Sequence, residues 1–281
     1  MPALARWVGV LLAFVVGDVF RIRRRHVVFA MRRAGVVAPV ATASEMYQSL
    51  ARGVMELLLA RRHVGAVDID DRARALLEKG GVVIATAHTG SFDLVACAAA
   101  ERVPLSVVTK RLSIGFLDRI WQRRRAAHGV RLLHVGEAWR PALGALRRGE
   151  AVAMLVDQAP ERARATILVP FLGATARVDL APALLAQRAR VPLALVVARR
   201  TRTGRHVAEL LGVVEPTQAG AFAAIAMKRV TEWLDAFVRR NPEQWLWMHR
   251  RWKDVPAGGS DCRVPSEEIC NIPEPAWHAE S

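Results

Sequence analysis

Tyrosine occurs once in the 281 residues, cysteine three times, and acidic side chains are outnumbered by basic ones, 26 against 41. Each scarcity excludes something. Cys97, Cys262 and Cys270 are too few and too irregularly spaced for a disulfide framework or a zinc ligand set. The chain therefore reads as belonging to a reducing compartment, with Cys97, set among alanines, as a small core residue. Aromatic residues make up 6%, and neither a glycine-arginine tract nor an aromatic-studded strand accompanies the formal charge of +15. Charge alone carries no nucleic-acid module, and no nucleic-acid partner is expected. The excess of positive charge points instead to anionic lipid or an acidic carrier protein.

Long apolar runs are also scarce. The N-terminal run WVGVLLAFVVG at 7–17 has eleven residues between Arg6 and Asp18, short of the roughly 20 that a full membrane span needs. No clean small-residue cleavage site comes after it. The next stretch is the arginine-dense RIRRRHVVFAMRR at 21–33, and arginines beside an apolar helix stay on the cytoplasmic side and bind anionic headgroups. The expectation is a shallow or barely spanning anchor, with an ordinary buried first helix as the alternative. Gly-, Ser- or Pro-rich linkers are lacking before residue 254. The organisation expected is a membrane anchor and basic juxtamembrane segment over 1–33, one domain over 34–253, and a flexible tail over 254–281.

Within the domain, apolar runs alternate with helical stretches. Strands are expected at 81–88, 105–110, 130–135, 151–158, 165–172, 192–200 and 206–214, several of them apolar throughout, as strands covered on both faces must be. Helices fit 44–62, 92–101, 114–127, 138–149, 180–189 and 219–239. A last helix is expected at 241–253, where Asn241 would cap, Pro242 would take the first position and Glu243 the first turn. The alternation defines an α/β class: a mostly parallel or mixed central sheet flanked by helices on both faces, preceded by the membrane-associated helix.

One junction carries chemistry. In IATAHTGSFDL (84–94) an apolar strand ends on His88, and Asp93 lies five residues on, in the first turn of a helix. Carboxyl ends of parallel strands are where ligands gather. A histidine there and a nearby carboxylate can act as a base and its orienting group; equally, they can be a polar strand end and a residue complementing a helix dipole. Spacing alone leaves both open. Ser91 as a nucleophile lacks the G-x-S-x-G elbow. Lys110, Arg111 and Arg125 are candidate contacts for anionic groups on a substrate, with a solvated basic face as the alternative for the first two. Asp157 ends an apolar strand, where an acid is costly unless paired. Arg250 and Arg251 can face an anion or an inner carboxylate, and His249 reads as structural.

GGVVIATAHTGSFDL resembles the H-x4-D box of membrane acyltransferases, and more closely that of the late acyltransferases of lipid A biosynthesis, the lauroyl/myristoyl-transferase family. Further blocks are similar to that family in the same order: RIWQRRRAAHGVRLL with Arg125 and Gly129, ALRRGEAVAMLVDQ with Asp157 and Gln158, VPFLGATARV, and PEQWLWMHRRWK. Two departures stand out, Ser91-Phe92 in place of Asn-Trp and ARVDLAPAL in place of a threonine-rich stretch.

The resemblance, covering about residues 20–253, implies an enzyme that moves a fatty acyl chain from an acyl carrier protein or CoA thioester to a hydroxyl of a lipid A precursor or similar lipid. It implies His88 as general base and Asp93 as its partner, with Arg125, Asp157, Gln158, Lys110, Arg111 and Arg250 on the substrate side, no metal and no cofactor. The expected place of action is the cytoplasmic face of the inner membrane. Acylation of another phospholipid or glycolipid, or a non-catalytic membrane-surface binder, are the alternatives.

Overall fold

The computed structural model describes residues 23–110, 115–161 and 164–253. The expected anchor run at 7–17, the tail from 254 and Arg111 lie outside the described residues. The described elements run α1 (Arg24–Arg33), α2 (Pro39–Leu58), the single turn α3 (Ala60–His63), β1 (Val67–Ile69), α4 (Asp71–Lys79), β2 (Val82–Thr86), α5 (Phe92–Ala100), β3 (Leu105–Thr109), α6 (Gly115–Ala126), β4 (Arg131–His134) and α7 (Trp139–Arg147). They continue with β5 (Ala151–Leu155), β6 (Thr166–Phe171), β7 (Ala174–Asp179), α8 (Ala181–Ala189), β8 (Leu193–Arg200), β9 (His206–Val214) and α9 (Phe222–Arg240).

Seven strands form one sheet in the order β1-β9-β8-β2-β5-β3-β4. Only β8 and β9 pair antiparallel within it; the other neighbours are parallel. This is the α/β sheet that the apolar runs predict, and both its faces are covered. Along β2, Val83 and Ala85 pack into a cluster with α1, α2, α7, α8 and α9. Val82 and Ile84 face the opposite way, into a second cluster with α4 and α5. Period-2 side chains buried on both sides explain why these strands are apolar throughout.

Three points differ from the sequence expectation. The run at 165–172 does form a strand, but outside the main sheet: β6 and β7 make a separate antiparallel hairpin. Its two-residue turn, Leu172-Gly173, has φ of 50° and 80°, the backbone that two-residue hairpins require. The segment 67–79 holds a short edge strand and a helix, α4, capped by Asp70, which accepts from the backbone N–H groups of Arg72 and Ala73.

The third of these is a correction to the C-terminal helix. Its Asn-Pro-Glu start yields only a 3-10 turn, Pro242–Gln244. Beyond it the backbone is extended and bonded to the loop after β2: Gly90 N–H donates to Gln244 O at 2.8 Å, and Leu246 N–H donates to His88 O at 3.0 Å. Trp245 and Trp247 are both buried there and stack edge to face. Tertiary pairing and two buried indoles outweigh local helix signals.

Candidate active site

The loop between β2 and α5 leaves the sheet at its carboxyl edge, beside the end of β5. In the register of these neighbours Thr86 lies opposite Leu155, so the residues two further on, His88 and Asp157, emerge side by side. His88 Nδ1 lies 2.9 Å from Asp157 Oδ1, and the His88 backbone N–H donates to Oδ2 at 3.0 Å. Trp245 Nε1–H donates to the same Oδ2 at 2.9 Å. Asp157 is fully buried.

Desolvation opposes its charge, but the nearby His88 charge and hydrogen bonds outweigh it and hold the carboxyl well below its usual range. For His88, desolvation lowers the pKa, while the charge and hydrogen bond of Asp157 raise it, and the net direction is upward. A carboxylate only accepts, so the neutral His88 ring carries its proton on Nδ1 and presents the Nε2 lone pair.

The expected His88–Asp93 hydrogen bond is not present. Asp93, buried in the first turn of α5, accepts from Arg125 Nε at 2.7 Å and from Trp121 Nε1 at 2.8 Å, and its Oδ1 lies 2.5 Å from Arg125 Nη2. Arg125 also donates to Thr109 Oγ1. It is buried at the end of α6, just before the Gly129 turn, where φ is 84°. Asp157, expected on the substrate side, holds His88 instead, and Asp93, expected beside His88, holds Arg125.

Gln158 enters the site as a neighbour of both rings, its Nε2 lying 3.3 Å from His88 Nε2 and 3.0 Å from His249 Nε2. Lys110 does not join them: it pairs with Glu161 at 2.8 Å, with both side chains about half or more exposed. Arg250 is exposed, whereas Arg251 is buried and donates to Arg177 O. Ser91 precedes α5, and its buried hydroxyl makes no hydrogen bond. Phe92 lies edge-on to the His88 ring, centroids 4.9 Å apart, so the aromatic at this position packs on the base. Gly90 is required by backbone geometry: φ is 49°, and a Cβ would lie 2.7 Å from Ala198 O.

Trp245, Trp121 and His249 escaped the sequence reading of the site. Trp121 stands in the basic block with Arg125, four residues apart on one helix face, a spacing that could have linked it to the same carboxylate. Trp245 and His249 reach the site only through tertiary pairing. Beside the dyad opens a cleft with Met46, Leu50, Phe92 and Leu246 among its walls and His88 and Gln244 along it.

A histidine held by a buried carboxylate at neighbouring strand ends, beside a cleft with apolar walls, places the candidate site of this α/β protein at the carboxyl edge of its sheet. The chain belongs to the bacterial lipid A biosynthesis acyltransferase family, whose family model matches residues 38–254, and it is an acyltransferase of groups other than aminoacyl groups. No curated protein matches it. Among solved structures it is similar to the 1-acyl-sn-glycerophosphate acyltransferase PlsC from Thermotoga maritima, at 12% identity and a TM-score of 0.38, over 84% of this chain and 100% of that one.

Proposed function

We propose that the protein transfers a fatty acyl chain from an acyl carrier protein or CoA thioester to a hydroxyl of a lipid A precursor or a similar lipid, with His88 as general base. His88 Nε2 takes the hydroxyl proton as the oxygen attacks the thioester carbonyl. The C–S bond then breaks, and the imidazolium returns its proton to the departing thiolate, leaving an ester and a free thiol. A thioester is already activated, so no enzyme nucleophile is needed. Asp157 takes the orienting role first expected of Asp93: it fixes the tautomer and stabilises the imidazolium. Asp93 positions Arg125, whose guanidinium suits an anionic group on a substrate.

The observation that carries this reading is the 2.9 Å contact between His88 Nδ1 and a fully buried Asp157. Met46, Leu50, Phe92 and Leu246 give the cleft beside His88 apolar walls, the chemistry an acyl chain would meet. Membrane association is supported by Phe29, Val37 and Val40, all at least half exposed along α1, the turn after it and the start of α2, in a segment that carries several arginines. Among the described residues no helix is long and apolar enough to cross a membrane. The expected place of action is the cytoplasmic face of the inner membrane.

The test is an acyl donor and acceptor screen on the purified protein, read by mass spectrometry, with His88→Ala alongside. An acylated lipid formed by the wild type and reduced about 10²–10⁴-fold in a folded His88→Ala variant supports the reading. No product from either donor class sinks it. A product on a phospholipid or glycolipid but not on a lipid A precursor moves the acceptor and leaves the base in place.

A further inference from the structure

Asp157 creates a problem for the base it orients. A buried carboxylate favours imidazolium, and a protonated His88 cannot accept a proton. Something must hold the ring neutral before the substrate arrives. The groups facing it are Asp157 after β5, Asp93 on α5, Arg125 on α6, and Gln158 and His249.

The amide of Gln158 is the group in contact with the reacting nitrogen. With Nδ1–H directed at Asp157, the His88 Nε2 lone pair can be met only by a donor, so the Gln158 NH2 group faces it. That NH2 has two hydrogens. The second is taken by His249 Nε2 at 3.0 Å, the shorter of the two contacts.

His249 can accept only while neutral. Burial lowers its pKa to about 4, with His88 and Arg23 adding to that and Asp157 opposing it. The segment bearing His249 is fastened to α1 and the residue before it: Arg23 Nη1 donates to Met248 O at 2.9 Å, and His26 Nε2 lies 3.2 Å from His249 O.

We infer that His249 is a positioning residue that acts through Gln158: it fixes the Gln158 amide with one N–H directed at the His88 Nε2 lone pair, which disfavours protonation of the base in the empty site. A hydrogen bond donated to the neutral ring disfavours its charged form and so counteracts Asp157. An arriving hydroxyl takes the place of that N–H on Nε2, while the amide stays anchored on His249. The functional meaning rests on His88 being the base, but the protonation state of His88 can be measured without turnover.

The experiment tracks histidine Cε1 resonances in the full-length, detergent-solubilised protein labelled with ¹³C-histidine, between pH 5.5 and 9, in parallel with the acid limb of the pH–rate profile. The His88 resonance is assigned by its loss in His88→Ala. Gln158→Met, similar in shape and without a donor, is expected to raise the His88 midpoint by about half to one pH unit, the size of one ordinary hydrogen bond. Gln158→Glu is expected to raise it further, since it replaces a donor with a negative charge. His249→Phe raises it in the wild-type background and has no effect in Gln158→Met, whereas His249→Asn, whose carbonyl can accept from Gln158, restores the wild-type value.

An unmoved midpoint in Gln158→Met and Gln158→Glu overturns the inference. So does a His249→Phe shift that persists without Gln158, which would show His249 acting on its own. Failure of the acylation reading looks different: the midpoints move as described while no donor–acceptor pair gives a product.

Discussion

Asp93 and Asp157 make an instructive pair. Both are buried acids near the carboxyl edge of the sheet, and both accept a hydrogen bond from an indole, Trp121 for one and Trp245 for the other. They differ in the third partner. Asp157 meets a titratable ring, whose charge would change during turnover if His88 is the base; Asp93 meets a guanidinium that is always charged. A carboxylate beside a permanent cation contributes to structure continuously, whereas one beside a histidine contributes most when the ring is protonated. The first should therefore be read out mainly in stability and the second mainly in rate.

The largest expected effect lies on the histidine side. Asp157→Asn turns one of the carboxylate's two oxygens into an NH2, so at least one of its three donor partners faces another donor. The rate is expected to fall about 10²–10⁴-fold, the range for losing general base function, with the melting temperature falling less than in the Asp93 variant. Steady-state kinetics and thermal unfolding on the same preparation check this. A variant that melts far lower but turns over normally when folded would reverse the assignment.

Asp93→Asn comes next. It leaves the Arg125 guanidinium buried without its counter-charge, and breaking such a pair from one side costs about 3–5 kcal/mol. Denaturant unfolding should show that loss. Replacing both partners together, Asp93→Leu with Arg125→Met, should recover most of the stability, because an apolar pair of similar volume is often neutral. If Arg125 contacts substrate, that double variant stays slow while stable, which separates its two roles.

A third acid calibrates the contrast. Glu56 on α2 pairs with Arg200 and His206, at the facing ends of β8 and β9. Burial opposes its charge, but hydrogen bonds from His206 and Arg200 prevail and bring its pKa from 4.5 to about 2. A pKa depressed on folding contributes stability that is fully present above the unfolded value and is lost as pH falls from about 4.5 toward 2, roughly 3 kcal/mol in all. The stability gap between wild type and Glu56→Gln should therefore narrow between pH 5 and pH 3, with no matching change in rate at neutral pH. A gap that stays constant with pH would mean that the Glu56 pKa is the same in the folded and unfolded states.

Legibility in the sequence divides along the same line. Strands buried on both faces announce themselves as apolar runs, so the central sheet and most helices were legible. His88 and Asp157 were each legible as polar residues closing such a run. Their contact was not, because it depends on β2 and β5 being neighbours in parallel register, and adjacency of strands 69 residues apart leaves no local mark. Asp93, five residues from His88, looked closer; its place in the first turn of α5 directs it to α6 instead. His249 was hidden for the same reason as Asp157, since Gln158 reaches it from another strand end. The β6–β7 turn was visible in retrospect: Leu172-Gly173 between two β-prone segments is a hairpin signal. The 241–253 segment shows the limit of capping rules, since good start signals cannot hold a helix whose backbone is claimed by the loop that carries His88.

The finest test of the contrast uses the two indoles. Trp245→Phe removes one donor from Asp157 Oδ2 and leaves a ring able to keep the edge-to-face contacts with Phe171 and Trp247, at 5.5 and 4.8 Å. Trp121→Phe does the same to Asp93. Each should lower stability by about 1.5–3 kcal/mol, the price of a hydrogen bond to a charged group. In rate they should separate. With one donor fewer, the Asp157 carboxylate competes more strongly for the His88 Nδ1 proton, and the His88 midpoint rises. The acid limb of the pH–rate profile should then move upward in Trp245→Phe and stay in place in Trp121→Phe, where the weakened carboxylate still faces a cation that does not titrate. Equal limbs in the two variants would mean that the charge on Asp157 reaches His88 no more strongly than that on Asp93.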